Sequence, residues 1–185
     1  MSLGELFVVA TPIGNLEDIS PRAVAVLGAV DLVLAEDTRH SRPLLTHVGV
    51  ETPLQAMHEH NEEALVPRLI ERLLEGQSIA VISDAGTPLI SDPGYRLVRA
   101  AQDAGIAVRA VAGPSAVTAA LSVCGLPTDR FAFEGFLPAR ESARREKLRF
   151  LGEEPRTLVF FETGRRIRAS LEDIESATGP GRDIA

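Results

Sequence analysis

A chain of 185 residues is long enough for one ordinary domain, or for a small domain followed by part of a second. Its 45% hydrophobic and 24% charged residues can bury a core and exclude intrinsic disorder, and a formal charge of −7 argues against coating nucleic acid by bulk electrostatics while leaving room for a local basic patch. Cys124 stands alone, so an intrachain disulfide and a cysteine-based zinc cluster are excluded; Met1 to Glu5 lack a signal-peptide pattern and no run approaches the roughly 18 apolar residues of a membrane span, so a cytoplasmic protein without export or membrane insertion is expected.

In chain order, short β-type runs alternate with amphipathic segments, the pattern of a mostly parallel sheet flanked by helices on both faces. Leu6 to Ala10, Leu32 to Ala35, Ile79 to Ile82 and Val108 to Val111 read as strands. Ser20-Pro21 predicts a helix start, a capping hydroxyl followed by proline at the first helical position, with the helix running to about Val30. Asn61 is expected to cap a helix that opens on Glu62 and Glu63, carries the stripe Leu65, Leu69, Leu73, and ends near Gly76. Pro67 inside that segment predicts a kink or a delayed start.

The composition shifts near Gly125 to Thr128: of seven phenylalanines all but Phe7 follow it, and nine of the 19 Lys and Arg lie between Arg140 and Arg168. We therefore expect an N-terminal α/β domain over 1–125 and the start of a C-terminal α/β domain over 126–185. The latter reads as strand Phe131 to Phe136, helix from about Ser142 to Leu151, strand Thr157 to Phe161 and helix from about Arg165 to Ala177. Roughly 55 residues with two strands make a thin core, so this second unit is expected to be incomplete.

Four loops after strands carry the chemistry-bearing residues. Thr11-Pro12-Ile13-Gly14-Asn15 is a tight turn with open backbone amides, and it lacks the glycines and lysine of a P-loop or a GxGxxG fingerprint. Glu36-Asp37-Thr38-Arg39-His40 offers two acids, an arginine and a histidine for a hydroxylated substrate or a proton acceptor; equally, Asp37 or Thr38 caps the next helix while Arg39 pairs with an acid. His58-Glu59-His60 lacks a third placed ligand and reads as loop rather than metal site.

Ser83 to Gly94 is the most specific stretch: Asp84 ends a buried strand, Gly86 and Gly94 permit unusual backbone shapes, and Pro88 and Pro93 stiffen the whole into a ligand cradle. Its second half also reads as a helix opening, with Asp92 the N-cap and Pro93 the first helical residue. Gly113-Pro114-Ser115 precedes a helix of small residues, where Ser115 is a cap rather than a nucleophile. Arg140, Arg144, Arg145, Lys147 and Arg149, with Glu141 and Glu146 between them and Arg165, Arg166 and Arg168 beyond, form either a salt-bridged face or a phosphate-contacting one, and no aromatic platform for stacking bases is evident within the cluster.

Ala10 to Leu16, Glu36 to Arg39, Ser83 to Gly94, Gly113 to Ala116 and Phe133-Glu134-Gly135-Phe136-Leu137-Pro138, taken in order, resemble the ribosomal RNA small-subunit methyltransferase I family, a branch of the tetrapyrrole methylase superfamily. The resemblance implies a two-domain tetrapyrrole methylase-like α/β protein that binds S-adenosylmethionine (SAM) between its domains and methylates the ribose 2′-hydroxyl of a cytidine in the decoding region of 16S rRNA. It implies further that Pro12 and Gly14 line the donor cleft, that Asp84, Ala85, Gly86 and Thr87 hold SAM, that Pro114 and Ser115 complete the wall, and that Glu36, Asp37 and Arg39 face the acceptor. Glu162, which the resemblance makes a further cofactor-binding residue, and Arg166 keep positions of the family's Tyr-Glu-Ser-Pro-His-Arg motif, where this chain reads Phe161-Glu162-Thr163-Gly164-Arg165-Arg166. Partners implied are the small ribosomal subunit and a second copy of the chain in a homodimer; no metal is required. Competing expectations are a module that binds SAM or RNA without turnover, and a methylase of the same superfamily acting on a tetrapyrrole or a protein residue.

Overall fold

The computed structural model describes residues 2–185, which divide into two compact units, the first reaching Ala116 and the second running from Val117 to Ala185. Sequence composition places its boundary some ten residues later, near 125, because the phenylalanine and basic-residue content changes only after the connecting helix.

The first unit is built on strands β1 (Glu5–Val9), β2 (Leu32–Ala35), β3 (Leu54–Ala56), β4 (Ile79–Ile82) and β5 (Ala107–Val111), in the order β3-β2-β4-β1-β5 with every neighbouring pair parallel. Between them run α1 (Pro21–Ala29), α2 (Thr38–His47), α3 (Glu62–Leu74) and α4 (Tyr95–Asp103). The two-residue period of a strand sorts its side chains onto two cores. Leu6, Leu32, Leu34, Ile79 and Val81 pack with Leu69, Leu73, Leu97 and Ala101 of α3 and α4, while Val9, Val33, Ala35, Ala80 and Ile82 pack with Ala23, Leu27 and Leu45 of α1 and α2. Leu34 is wholly buried at the centre, where truncation to alanine costs about 2–5 kcal/mol.

Strand β3 escapes sequence reading because Leu54-Gln55-Ala56 is too short to show a period and lies half-buried at the sheet edge. Ser20 caps α1 as expected, accepting from the Ala23 amide at 3.0 Å, with Pro21 first in the helix. Asn61 does not cap α3: its Oδ1 accepts from the His58 amide at 2.8 Å and its Nδ2 donates to the Ala56 carbonyl, holding the turn before the helix. Pro67 does not delay α3, which starts at Glu62 and carries the proline inside. Nor is Asp92 a helix cap, since α4 begins at Tyr95 after Gly94, whose φ is 123°.

What anchors α4 is Glu62. The residue is 6% exposed, and its Oε1 accepts from the backbone amides of Arg96 (2.9 Å) and Leu97 (3.2 Å), two donors that a helix start leaves without intrahelical partners. Glu63 beside it pairs with the Arg96 guanidinium.

The second unit contains α5 (Ala116–Val123, which begins at the boundary), β6 (Phe131–Phe136), α6 (Glu141–Leu151), β7 (Thr157–Phe161) and α7 (Ile167–Thr178). Strands β6 and β7 form a parallel two-stranded ribbon with a bulge between Phe133 and Gly135. Phe161 meets the rings of Phe133 and Phe136 edge-on at centroid distances of 4.8 and 5.4 Å. Helices α6 and α7 are joined by a buried ion pair: the Arg144 and Asp173 side chains are 7% and 4% exposed and 2.7 Å apart, and Arg145 takes the second Asp173 oxygen at 2.7 Å. The Arg145 hydrogen bond, and with it that of Arg144, outweighs burial and holds the Asp173 carboxyl below the usual aspartate range. Among the described residues no helix is long and apolar enough to cross a membrane.

Removing the Glu62 carboxylate strands the buried Leu97 amide and the partly buried Arg96 amide. We expect Glu62→Ala to lower unfolding stability by about 1–3 kcal/mol in urea titrations, whereas Glu63→Ala, on an exposed pair, changes it by less than about 1 kcal/mol; equal losses for the two variants would contradict this anchoring role.

Candidate active site

Strands β1 and β4 lie side by side, yet β1 continues through α1 on one face of the sheet and β4 through α4 on the other. Their outgoing loops therefore diverge, and in open parallel sheets a ligand crevice forms beyond the strand ends at such a place.

Four loops are tied together there. Thr11, after β1, and Gly86, after β4, exchange both backbone hydrogen bonds, with N···O distances of 2.9 and 3.0 Å. The buried Thr11 hydroxyl donates to the Ser83 carbonyl at 3.1 Å, and the Ser83 hydroxyl folds back to the Gly86 carbonyl at 3.0 Å. Thr87 donates from its hydroxyl to the Pro114 carbonyl (3.1 Å), which attaches the loop after β5, and the Asp37 amide donates to Asp84 Oδ1 (3.3 Å), which attaches the loop after β2. Gly86 has a φ of 86°, and a Cβ there would stand 3.3 Å from Ile13 Cγ2, so conformation and space both favour glycine. Leu89 and Ser91 hold φ of 70° and 68° without that freedom, at a cost of about 1–3 kcal/mol each.

The same edge gathers carboxylates. Burial and the charges of Glu36 and Asp84 push the Asp92 carboxyl up to about 6, although the Ser83 hydroxyl beside it favours the charged form. Burial and Asp84 likewise raise Glu36, against the opposing pull of His58. Asp37 behaves in the opposite way. It caps α2 with Oδ1 on the Arg39 amide (2.8 Å), and Arg39 closes on both oxygens through Nε (3.1 Å) and Nη2 (2.8 Å), so these hydrogen bonds hold the carboxyl down at about 2.

Of the sequence-predicted residues, Pro12, Gly14, Arg39, Asp84 and Ala85 line one cavity of about 490 Å³ in the first unit. At Gly14 a side chain would point into open space, so bare backbone faces that hollow. Gly86, Thr87 and Pro114 belong to the tied loops but not to this cavity wall, and Glu36 and Asp37 stand next to Asp84. Ser115, a neighbour of Pro114, precedes α5. Glu162 lies in the second unit. Burial raises its carboxyl, but the Ser170 hydroxyl (2.6 Å), the Thr163 amide (2.8 Å) and the Arg166 guanidinium (3.2 Å) more than offset it, leaving the group below its ordinary value.

Sequence reasoning missed Ser41. It lines the same cavity from α2, is 3% exposed, and its hydroxyl finds no partner, which is unusual for a buried donor. No local sequence signal distinguishes it from an ordinary helical serine. Asp92 was read as a cap; what marks it is the company of Glu36 and Asp84, which only the sheet brings together. The basic helix α6 is largely neutralised, Arg144 and Arg145 by Asp173 and Lys147 by Glu134 at 3.2 Å.

The family model of tetrapyrrole (corrin/porphyrin) methylases matches residues 5–185. Proteins named ribosomal RNA small subunit methyltransferase I from Pseudomonas aeruginosa and Xylella fastidiosa are 60% and 59% identical to the chain over 98% and 97% of its length. The chain in turn spans 64% and 66% of those relatives. Among solved structures, the methyltransferase CobJ superposes with a TM-score of 0.69 at 19% identity, covering 97% of this chain and 78% of its own, a likeness of fold.

The carboxylate cluster has a pH signature. Because the folded Asp92 value of about 6 exceeds the ordinary 3.8, the folded protein holds more protons than the unfolded chain between those limits, so the stability contributed by the neutral group is complete below 3.8 and is lost as pH rises through about 6. Asp92→Asn should match the wild type at pH 3.5 and exceed it at pH 8 by about 1–2 kcal/mol, the value allowed after screening at a half-buried site. Urea unfolding at the two pH values measures this, and a pH-independent difference would refute it.

Proposed function

The chain belongs to the tetrapyrrole (corrin/porphyrin) methylase family, and from that premise we propose that it is a SAM-dependent methyltransferase acting on the ribose 2′-hydroxyl of a cytidine in the decoding region of 16S rRNA. The observation that carries the methyl-transfer reading is the set of four tied loops at the switch point of the sheet, with bare backbone at Gly14 and Gly86 and carboxylates at Asp84, Glu36 and Asp92. The RNA acceptor is supported by the name shared by relatives at 59% and 60% identity.

The residues present fit a donor of this kind. A flexible molecule bearing an ammonium, a ribose and a sulfonium needs carboxylates, exposed amides and walls without side chains, and the cavity beside Pro12, Gly14, Asp84 and Ala85 supplies each, with the orphan Ser41 hydroxyl in its wall. SAM supplies an already activated methyl group. The chain's contribution is then alignment, which is worth about 7–11 kcal/mol in well-oriented reactions. Asp84, Ala85, Gly86 and Thr87 hold the donor, Pro12 and Gly14 line its cavity, and Pro114 with Ser115 backs the loop through the Thr87 hydrogen bond.

On the acceptor side the two acids differ in kind. Glu36, raised by burial and by Asp84, is a better proton acceptor near neutrality than an ordinary carboxylate, and it receives the proton that the ribose hydroxyl releases. Asp37, held at about 2, is a poor base; its task is to fix Arg39, whose side chain is 89% exposed and reaches outward to the substrate. The protein works in the cytoplasm on the small subunit, as a homodimer.

Calorimetric titration with SAM and with its demethylated product tests the donor site directly. The wild-type chain should bind both, and Gly86→Val, which forces a left-handed φ on a β-branched residue and crowds Ile13, should weaken binding at least about tenfold. Radiolabelled methyl transfer to small subunits lacking the modification tests the acceptor. Absence of SAM binding would overturn the donor reading, and transfer to a porphyrinogen in preference to rRNA would overturn the acceptor.

A further inference from the structure

The basic cluster of the second unit is not uniform. Arg144, Arg145, Lys147 and Arg166 are all committed to acids, namely Asp173, Glu141, Glu134 and Glu162. Arg140, Arg149, Arg165 and Arg168 are exposed, and their guanidinium groups have neither an ion pair nor a hydrogen bond among the described residues. Burial of a charge requires a partner, whereas a free surface arginine is available to an external anion.

Arg140, Arg165 and Arg168 follow closely on the ends of β6 and β7, whereas Arg149 lies in the last turn of α6. Strands β6 and β7 are parallel, with Phe136 paired in register with Phe161, so the loops that follow leave the same edge of the ribbon. Arg166 straps the two loops together, its Nη2 donating to the carbonyls of Leu137 (2.5 Å) and Pro138 (3.2 Å), and Arg144 donates from beneath to the carbonyls of Pro138 (3.5 Å) and Ala139 (3.3 Å). Arg140 continues the first strapped loop, Arg165 precedes the strap, and Arg168 lies in the first turn of α7. Phe136 sits at that same strand end with 49% of its surface exposed, braced edge-on by Phe161. The aromatic ring that the sequence did not reveal beside the basic cluster is thus placed there by the ribbon.

An aromatic face flanked by unpaired guanidinium groups is the combination that holds single-stranded nucleic acid, phosphates on the cations and a base on the ring. Building on the RNA reading above, we propose that the β6–β7 edge is the docking surface for an unpaired RNA segment, with phosphates on Arg140, Arg165 and Arg168 and one base stacked on Phe136. The buried salt-bridge network beneath, Arg144 with Asp173 and Arg166 with Glu162, keeps this surface rigid and is not itself part of the contact.

The test is fluorescence anisotropy of the full chain with a labelled unstructured RNA of about 12 nucleotides, within the span such platforms cover, over a series of salt concentrations. Replacing Arg140, Arg165 and Arg168 together by alanine should lower the slope of log affinity against log salt by about 2, from three lost phosphate contacts at about 0.7 each. Phe136→Ala should weaken RNA binding about tenfold while leaving affinity for heparin, a polyanion without bases, unchanged. Arg99→Ala, an exposed arginine of the first unit, serves as the control and should leave the slope alone. SAM affinity by calorimetry and the urea midpoint should be unchanged in all of these variants.

A triple variant that keeps the wild-type salt slope overturns the proposed surface while leaving the rRNA acceptor standing. So does a Phe136→Ala protein that loses SAM affinity but not RNA affinity, which would assign the ring to the donor. Failure of the unsubstituted chain to bind RNA overturns the surface and withdraws support from the RNA reading, while its SAM titration still reports on the donor site.

Discussion

Two backbone hydrogen bonds, exchanged between Thr11 and Gly86, carry the architecture of the candidate site. Adjacent strands whose crossovers pass to opposite faces pull their loops apart, and without a tie the loops after β1 and β4 would be free to splay. The bridge closes that divergence at its root, and Thr11 reinforces it with its buried hydroxyl. Further out, Thr87 and Asp84 reach to the loops on either side, so the crevice is open at its mouth and held at its base. Everything attributed to donor binding depends on this arrangement.

The electrostatics follow from the same constraint. Parallel strands deliver their terminal residues to one edge, and here the residues delivered after β2 and β4 are Glu36, Asp84 and, a few residues on, Asp92. Burial, and with it the like charges brought together, raises the proton affinity of Glu36 and Asp92, whereas Asp37, next in sequence to Glu36, is held far lower by the hydrogen bonds of Arg39. Neighbouring acids thus acquire different chemistry from the direction in which each side chain points: one toward other carboxylates, one toward a cation.

How much of this could be read from the sequence depends on the range of the interaction. The central strands were legible because β-rich apolar runs are local, as were the caps at Ser20 and, as one of two readings, Asp37. The four loops could be named because each follows a strand, and the resemblance gave them a shared purpose. Glu62 was mistaken for an ordinary acidic helix start because its partners, Arg96 and Leu97, are more than thirty residues away. Asn61 and Asp92 have the composition of caps, yet their side chains find other partners in three dimensions. Phe136 lay outside the basic run in sequence and joins it only through the pairing of β6 with β7.

The anchoring of α4 by Glu62 sets a mechanical boundary. The stiff segment from Ser83 to Gly94 ends at a helix whose first amides are already clamped to α3, while strain is stored upstream at Leu89 and Ser91. Any relaxation of that strain is therefore confined to the segment and does not tug on the hydrophobic interior. The segment is thus strained in its middle and fixed at its end, so that strained part and the frame that holds it are mechanically separate.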